Sequence, residues 1–228
     1  MLKFYYNTGP NPMKVALFLE ESELDYEAVP LDTRKGEQHA DEYLAINPNA
    51  KAPTVVDSDV TVFDSNAILL YLAEKSGKFL PPAGDAARGD FLSWLMFVAT
   101  GVGPYSGQSV HFQVHAPEKI PYALNRYAFE AKRHYGILND RLADRRYILG
   151  DIYTIVDMAT WGWARLMPRV LSDEAFDDFP HLKRLVDEIT ARPAAERAVE
   201  LAARHKFKTE MDAESHRNMF PGNSPVAD

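Results

Sequence analysis

The chain has 228 residues, a hydrophobic fraction of 46% and a formal net charge of −8, which allows one large domain or two small ones with packed cores. The acidic balance argues against nucleic acid as a partner, because phosphate binding requires clustered Lys and Arg. The sequence contains no cysteine, which excludes disulfide scaffolds, Cys-ligated zinc and a Cys-x-x-Cys redox pair. Any thiol chemistry must therefore use a thiol that a ligand brings.

The sequence shows no targeting or membrane signal. Residues 1–6 run directly into a polar turn, without the apolar core of a signal peptide. The densest apolar run, residues 67–73, is far shorter than the roughly 20 residues that a membrane span requires. These features predict a cytoplasmic protein without a membrane partner.

The first part of the chain alternates strand and helix signals. Residues 2–6 predict a strand, and Asn11 before Pro12 is typical of a helix N-cap followed by proline at the first helical position. A second strand is predicted over residues 24–31 and a short helix over residues 41–46.

The stretch from residue 47 to residue 74 organises this first part. Two β-rich runs, residues 54–56 and 60–63, flank an Asp-Ser-Asp turn and predict a hairpin. Asp64 and Ser65 then predict the start of a helix. The first N–H groups of a helix have no partner within it, so an anionic carboxylate would bind well there. The order β-α-β-α-β-β-α indicates a thioredoxin-like domain over residues 1–77.

The rest of the chain is predicted to be helical. Residues 78–85 contain two prolines and a glycine without periodicity and predict a linker. Thr154 and Asp157 form a capping-box pattern, in which each side chain bonds the other residue's backbone N–H. Helices are predicted over residues 87–97, 121–142, 156–170, 182–191 and 194–203. They would form an all-helical domain over residues 86–204, followed by an extended or partly disordered tail over residues 205–228.

Several pieces of this sequence together resemble the glutathione transferases. They are Asn47-Pro48, Lys51-Ala52-Pro53, the hairpin with Asp64-Ser65, and the capping box followed by Met158-Ala159. The resemblance covers residues 2–203 and implies the cytosolic glutathione transferase fold, an α/β thioredoxin-like N-terminal domain plus an all-α C-terminal bundle. It also implies a homodimer, with contacts from the hairpin face and the helix around residues 94–97.

The resemblance implies roles in binding glutathione. Pro53 would follow a cis peptide bond, and Ala52 would pair its backbone with the peptide of glutathione. Asp64 and Ser65 would hold the γ-glutamyl carboxylate. Gln38 and Lys51 would lie near the glycine end of the ligand.

The turn before the first predicted helix would activate the glutathione thiol. A thiol has a pKa of about 8.5 and must ionise to attack, so hydrogen-bond donors and a helix N-terminus are needed near the sulfur. Residues 9–14 resemble the Nu-class bacterial transferases and their fungal nitrogen-regulator relatives, in which the Asn acts near the sulfur. These relatives carry a hydroxyl two residues before the Asn, where this chain has Gly9. Asn11 is therefore the first candidate donor and Thr8 the second, while Tyr5 and Tyr6 are interpreted as sheet residues.

The sequence allows two interpretations of Arg133. The resemblance implies that it reaches a glutathione carboxylate, whereas its spacing from Glu130 also fits an ion pair along one helix. His111 and His115 are spaced for metal binding, but no third ligand follows at a sensible spacing, so no metal is predicted. The three tryptophans are predicted to be packing residues.

The predicted activity is glutathione-dependent thiol–disulfide chemistry on a small-molecule disulfide. One alternative is a transferase that conjugates glutathione to an electrophilic carbon. The other is a non-catalytic regulator or scaffold that binds glutathione or a partner protein, as in the fungal relatives.

Overall fold

A computed structural model describes residues 1–223 of the chain. A four-stranded sheet lies near its N-terminus in the order β2-β1-β3-β4. Strands β1 and β2 are parallel, while β3 is antiparallel to both β1 and β4. The strands are β1 Leu2–Tyr6, β2 Tyr26–Pro30, β3 Thr54–Asp57 and β4 Val60–Phe63. The sheet confirms the predicted thioredoxin-like arrangement, with β2 shorter at both ends than predicted.

Three α-helices accompany the sheet: α1 Pro10–Ser22, α2 Asp41–Leu44 and α3 Ser65–Ser76. The predicted N-cap of α1 at Asn11 is wrong, because Gly9 holds that position and Asn11 is already the second helical residue. The Asn7 side chain accepts the Gly9 N–H at 2.9 Å, which forms the turn two residues earlier than predicted. Pro10 then takes the first helical position, where its fixed φ suits the helix and its missing N–H costs nothing.

The hairpin and the helix after it follow the prediction. The Ala52–Pro53 peptide bond is cis. Thr54 pairs with Phe63 in the β3–β4 register, so Pro53 and Asp64 lie side by side at the same end of the hairpin. Asp64 caps α3, with its Oδ1 accepting N–H groups at 2.8 and 3.2 Å.

The C-terminal part is a bundle of helices, as predicted. Its members are α4 Arg88–Phe97, α5 Gly103–Val110, α6 Pro121–Arg141, α7 Ile155–Ala164, α8 Met167–Val170, α9 Pro180–Thr190, α10 Pro193–Ala203 and α11 Ala213–Met219. π-helical turns at Val98–Val102 and His111–His115 flank α5. The segment between Ser76 and Arg88 contains no α-helix or strand, while the exact limits of the two domains stay a prediction.

The single helix predicted over residues 156–170 is wrong in one respect, because the chain forms two helices there. Helix α7 ends at Ala164 and α8 begins at Met167. Pro168 gives the reason, since a proline lacks an N–H and its ring clashes with the carbonyl of the fourth residue before it, here Ala164. Arg165 and Leu166, which lie between the two helices, line a cavity that is described below.

The tail prediction is also wrong for the part that the structure describes. Residues 213–219 form α11, which begins where Asp212 accepts the Ser215 N–H at 2.9 Å. Asn218 then anchors the helix, because its side chain donates to the Arg34 carbonyl at 2.9 Å. Residues 224–228 lie outside the described part of the chain.

One hydrophobic core joins the two parts of the molecule. Helix α1 packs against α3 on one side and against α7 and α10 on the other. Its residues between Val15 and Leu19 are fully buried. Across residues 1–223, no helix is both long and apolar enough to pass through a bilayer.

The predicted capping box of α7 is confirmed and is fully buried. Asp157 accepts the backbone N–H groups of Thr154 at 2.9 Å and Ile148 at 2.8 Å, and also the Thr154 hydroxyl at 3.2 Å. Burial raises the pKa of Asp157 to about 6, against the opposing effect of these hydrogen bonds. The box therefore fixes both the start of α7 and the loop before it.

We predict that Asp157→Ala lowers the free energy of unfolding by about 2–5 kcal/mol, because it leaves two buried N–H groups without an acceptor. Chemical denaturation would measure this. Asp173→Ala is the matched control, since Asp173 is an exposed loop carboxylate and such changes stay within about 0.5 kcal/mol. Equal stabilities of the two variants would contradict the assignment.

Candidate active site

The turn between β1 and α1 presents a small set of hydrogen-bond donors. Pro10 and Pro12 have no N–H, and the Gly9 N–H is already bound to Asn7. The Asn11 N–H has no carbonyl to pair with inside the helix, because it lies in the first turn. Asn11 is thus the residue of this first turn whose backbone N–H is aligned with the positive end of the helix dipole.

The side chain of Asn11 is oriented by Trp163 of α7. The Trp163 indole N–H donates to the Asn11 Oδ1 at 3.0 Å. An indole N–H can only donate, which fixes the amide oxygen on this side and leaves the NH2 group as a donor on the other. The indole ring fits closely against α5, because a Cβ at Gly103 or Gly107 would lie 3.2 or 3.4 Å from its atoms.

The two tyrosines of β1 do not belong to this set of hydrogen-bond donors. Tyr6 is fully buried, and its hydroxyl donates to the Leu201 carbonyl at 2.9 Å and contacts His205 Nδ1 at 2.6 Å. Burial raises the pKa of Tyr6 to about 12. The Tyr5 ring packs on Tyr43 at 5.7 Å. Tyr5 and Tyr6 are therefore sheet residues, as interpreted from the sequence.

A cavity of about 260 Å³ lies beside the start of α1, and four of the predicted site residues line it: Asn11, Gln38, Lys51 and Ala52. The loop that carries Lys51 and Ala52 is held by its neighbours. The Tyr43 hydroxyl and the Asn47 amide both donate to the Lys51 carbonyl at 2.7 Å. Two hydrogen bonds thus hold the backbone just before the Ala52–Pro53 bond.

Gln38 is buried at one end of this smaller cavity. Its Nε2 donates at 2.8 Å to the carbonyl of Asn218, the residue before Met219 at the end of α11. Its Oε1 is buried and accepts no hydrogen bond from the residues described. The C-terminal helix therefore reaches the position predicted for the glycine end of glutathione.

Asp64 and Ser65 lie at the start of α3, next to Pro53 across the hairpin register. Asp64 is exposed and has a φ of +69°, which is uncommon for a residue other than glycine and is found at functional sites. Ser65 is buried. Behind them, the buried Lys14 donates to the Asn66 Oδ1 at 3.0 Å. Burial lowers the pKa of Lys14 to about 7, and the charge of Asp64 opposes that shift.

A second, larger cavity of about 380 Å³ adjoins the first, and Thr8 lines it. Gly9, Pro10 and Trp163 line both cavities, as do Met219 and Phe220 at the C-terminal end. The two candidate donors, Thr8 and Asn11, therefore lie on either side of the junction between the cavities.

Arg133 does not line either cavity. Its Nε donates to Glu130 at 2.9 Å, and Arg126 binds the same carboxylate. Arg133 therefore forms the ion pair with Glu130, which was one of its two interpretations from the sequence. His111 and His115 line the larger cavity, and no group of three His, Asp or Glu able to hold a metal is found in residues 1–223.

Sequence reasoning missed several residues of these cavities. Trp163 was expected only to pack, and the three arginines of the larger cavity, Arg34, Arg165 and Arg169, were not considered. Gly103 and Gly107 were the available signal for Trp163. Two glycines four residues apart lie on the same side of a helix and leave that face flat, so that an aromatic ring can pack against it.

Comparison with known proteins identifies the class. The chain matches the glutathione S-transferase N-terminal domain over residues 1–74 and the glutathione S-transferase C-terminal domain over residues 117–193. It is 41% identical over 206 residues to the disulfide-bond oxidoreductase YfcG of Escherichia coli, covering 87% of this chain and 94% of that protein. The chain therefore belongs to the glutathione S-transferase family.

Two solved structures show the same fold. One is a glutathione transferase family member from Pseudomonas fluorescens with two glutathione molecules bound (TM-score 0.83, 37% identity, 87% of this chain and 92% of that one). The other is a glutathione transferase from Phanerochaete chrysosporium in complex with oxidized glutathione (TM-score 0.84, 36% identity, 89% and 96%). Together with YfcG, they support the Nu-class-like subgroup that the sequence predicted.

We predict that Ser65→Ala weakens glutathione binding by about 1–2 kcal/mol, because removing one partner of a hydrogen bond costs about 1–3 kcal/mol. Calorimetric titration would measure it. Ser93→Ala is the control, because its hydroxyl is exposed and bonds only within α4 in the described structure. Unchanged affinity in the Ser65 variant would refute the assignment.

Proposed function

We propose that this protein is a glutathione-dependent disulfide reductase in which the bound glutathione thiolate is the nucleophile. The observation that carries the proposal is the pair of donors on Asn11, its backbone N–H and its side-chain NH2, which lie beside the junction of two adjoining cavities. Because the chain has no cysteine, the thiol must come from the ligand. One cavity would hold glutathione and the other the disulfide. The names of YfcG and of the glutathione-bound structures support this choice.

Glutathione would lie along the sequence-predicted residues. Its γ-glutamyl carboxylate would bind at the start of α3, near Ser65 and Asp64, because the positive end of a helix dipole favours an anion. Its peptide would pair with the backbone of Ala52, and its glycine end would reach Gln38 and Lys51. The sulfur would then lie beside Asn11, with Thr8 a second donor across the junction.

The chemistry proceeds in two exchanges. The glutathione thiolate attacks one sulfur of the substrate disulfide, forming a mixed disulfide and releasing the other half as a thiolate, which takes up a proton. A second glutathione thiolate then attacks the glutathione sulfur of the mixed disulfide. The products are oxidised glutathione and a second substrate thiol, so two glutathione molecules supply the two electrons. The protein lowers the thiol pKa and positions the sulfurs.

We predict that Asn11→Ala lowers kcat for disulfide reduction by about 10- to 100-fold, the value of one hydrogen bond to a charged group, while glutathione affinity changes less. Asn11→Asp should be at least as damaging. Its carboxylate can still accept the Trp163 N–H but repels the thiolate, so the apparent pKa of the pH–rate profile should rise.

Asn125→Ala is the matched control, since Asn125 is exposed on α6. The proposal is wrong if Asn11→Ala retains full turnover, or if Tyr6→Phe is the damaging substitution. Activity only with an aryl halide would instead assign the protein to conjugation, and glutathione binding with neither activity would support a regulator.

We also propose a homodimer. Phe63 of β4, Leu92 and Met96 of α4 are large apolar side chains exposed by 41%, 37% and 45%, and they lie on the hairpin and the helix that the sequence pointed to. An interface there would remove this apolar surface from water. The cytoplasmic location stays a prediction.

Sedimentation equilibrium should give twice the chain mass of 25.7 kDa. Met96→Glu should shift the mass towards the monomer, because it places a charge in the interface. Val199→Glu, on the exposed face of α10, should not. A monomer mass for the unmodified chain well above micromolar concentration would disprove the dimer.

A further inference from the structure

The side chain of Lys14 on α1 is enclosed by the fold. It is 1% exposed, and a lysine is almost never fully buried unless it is paired. Its stem lies against α7, because a Cβ at Gly162 would come within 3.0 Å of the Lys14 Cβ and 3.3 Å of its Cδ. The stem directs the amino group to the start of α3, where it donates to the Asn66 Oδ1 at 3.0 Å.

The hydrogen bond from Lys14 is not an ion pair. The acceptor is a neutral amide, and within residues 1–223 no carboxylate oxygen lies within 4.0 Å of the Lys14 Nζ. A methionine would fill a similar volume without the cost of removing a charge from water. Packing therefore does not account for an amino group at this place, whereas a ligand anion at the start of α3 would.

The start of α3 connects Lys14 to the proposed position of the γ-glutamyl carboxylate. Asn66 is buried, and while its side chain accepts from Lys14, its backbone N–H donates to the Asp64 Oδ1 at 2.8 Å. Lys14 thus supports, from inside the protein, the turn that carries Asp64 and Ser65. A ligand carboxylate placed there lies close to the carboxylate of Asp64, and two like charges at short distance are stabilised by a cation behind them.

The free protein supplies little negative charge to Lys14. Helices α3, α7 and α10 pack against α1. Besides the Asp64 cap, the other titratable side chains of these four helices are Glu20, Glu21, Tyr71, Glu74, Lys75, Asp157, Glu196, Arg197 and Glu200. Among the residues described, it is the Asp64 carboxylate whose charge raises the pKa of Lys14, and burial outweighs it. Asp64 is exposed, so water weakens its attraction for the amino group.

We propose that Lys14 is a positioning residue of the glutathione site, which takes up a proton when the γ-glutamyl carboxylate binds and then compensates the charge of that carboxylate through the start of α3. The proton comes from the solvent and converts the amine to an ammonium, and no bond to the ligand forms. This inference rests on the position that the proposed function gives to glutathione.

The pKa of Lys14 sets the sign and the pH range of the effect. Burial lowers it to about 7, so the amino group is mostly neutral at pH 8 in the free protein. A bound anion raises this pKa, and the complex then holds more protons than the free protein. Affinity is therefore fully present below pH 7 and is lost as the pH rises through 7 towards the pKa of the complex.

The test uses a ligand without a thiol, so that ionisation of the glutathione sulfur does not contribute. It is γ-glutamyl-2-aminobutyryl-glycine, in which a methyl group replaces the thiol of glutathione. The full-length protein is titrated calorimetrically in buffers of small and of large ionisation enthalpy, because the dependence of the heat on the buffer gives the number of protons exchanged.

We expect a proton uptake at pH 8 of about 0.4–0.8 per site, which corresponds to a rise of about one to two units in the pKa of Lys14 on binding. At pH 6 the uptake should fall to about 0.1 or less, because Lys14 is already charged in the free protein. The ligand should bind about five- to tenfold more tightly at pH 6 than at pH 8.

Substitutions assign the proton to Lys14. Lys14→Met should abolish the uptake and make the affinity equal at the two pH values, whereas a merely structural role would lower both affinities and leave the uptake in place. Asn66→Asp keeps the lysine but pairs it with a carboxylate, so Lys14 is charged before the ligand arrives and the uptake should again be lost. Lys183→Met is the matched control, since Lys183 is exposed on α9 and lines neither cavity.

The outcomes separate this inference from the proposed function. Binding with no proton exchange at pH 8, binding with proton release, or an uptake that survives Lys14→Met would each overturn the role of Lys14 and leave the glutathione site intact. Failure of the ligand to bind at either pH would overturn the site and the role of Lys14 together. The expected uptake in a protein that reduces no disulfide would remove the proposed activity and leave the role of Lys14 standing.

Discussion

The close packing of α1 against α7 is the constraint on which the rest of the structure depends. A Cβ at Gly162 would lie 2.9 Å from the Pro10 carbonyl oxygen and 3.0 Å from the Lys14 Cβ, so a side chain there would force the two helices apart. Because the helices touch at Gly162, the next residue, Trp163, reaches Asn11. The sheet domain contributes Asn11 at the start of α1, and the helical part contributes the Trp163 indole that orients the Asn11 side-chain amide. Neither part forms the junction alone.

The same packing buries Lys14, which sets the electrostatics behind the predicted γ-glutamyl end. Its Nζ donates to the Asn66 Oδ1, and this hydrogen bond links α1 to the start of α3. An ammonium in this position loses its hydration, which lowers its pKa. An anion bound at the start of α3 would favour the charged form of Lys14, so glutathione binding at the proposed position would be coupled to the protonation of this residue.

Local signals explain what the sequence could predict. The hairpin, the Asp64 cap and the capping box at Thr154 depend on residues within a few positions of one another, so their chemistry is visible in the chain. The start of α1 was misplaced because the competing Asn7 side chain offered an earlier turn. Trp163, Arg34, Arg165 and Arg169 could not be placed, since the cavities form only when α7, α8 and the tail meet. For Arg133, helical spacing allowed the pair with Glu130 but could not exclude a ligand.

The C-terminal helix couples the two cavities. Asn218 accepts from Gln38 and donates to the Arg34 carbonyl, while Met219 and Phe220 line both cavities. The ion pairs of Lys208 with Asp212 and Glu214 involve exposed carboxylates, and such pairs contribute little to stability. The position of α11 therefore depends more on its polar contacts near Gln38 and Arg34 than on its charges. A ligand that competes for Gln38 would therefore act on the wall of the larger cavity as well, which under the proposed function would link glutathione binding to the shape of that cavity.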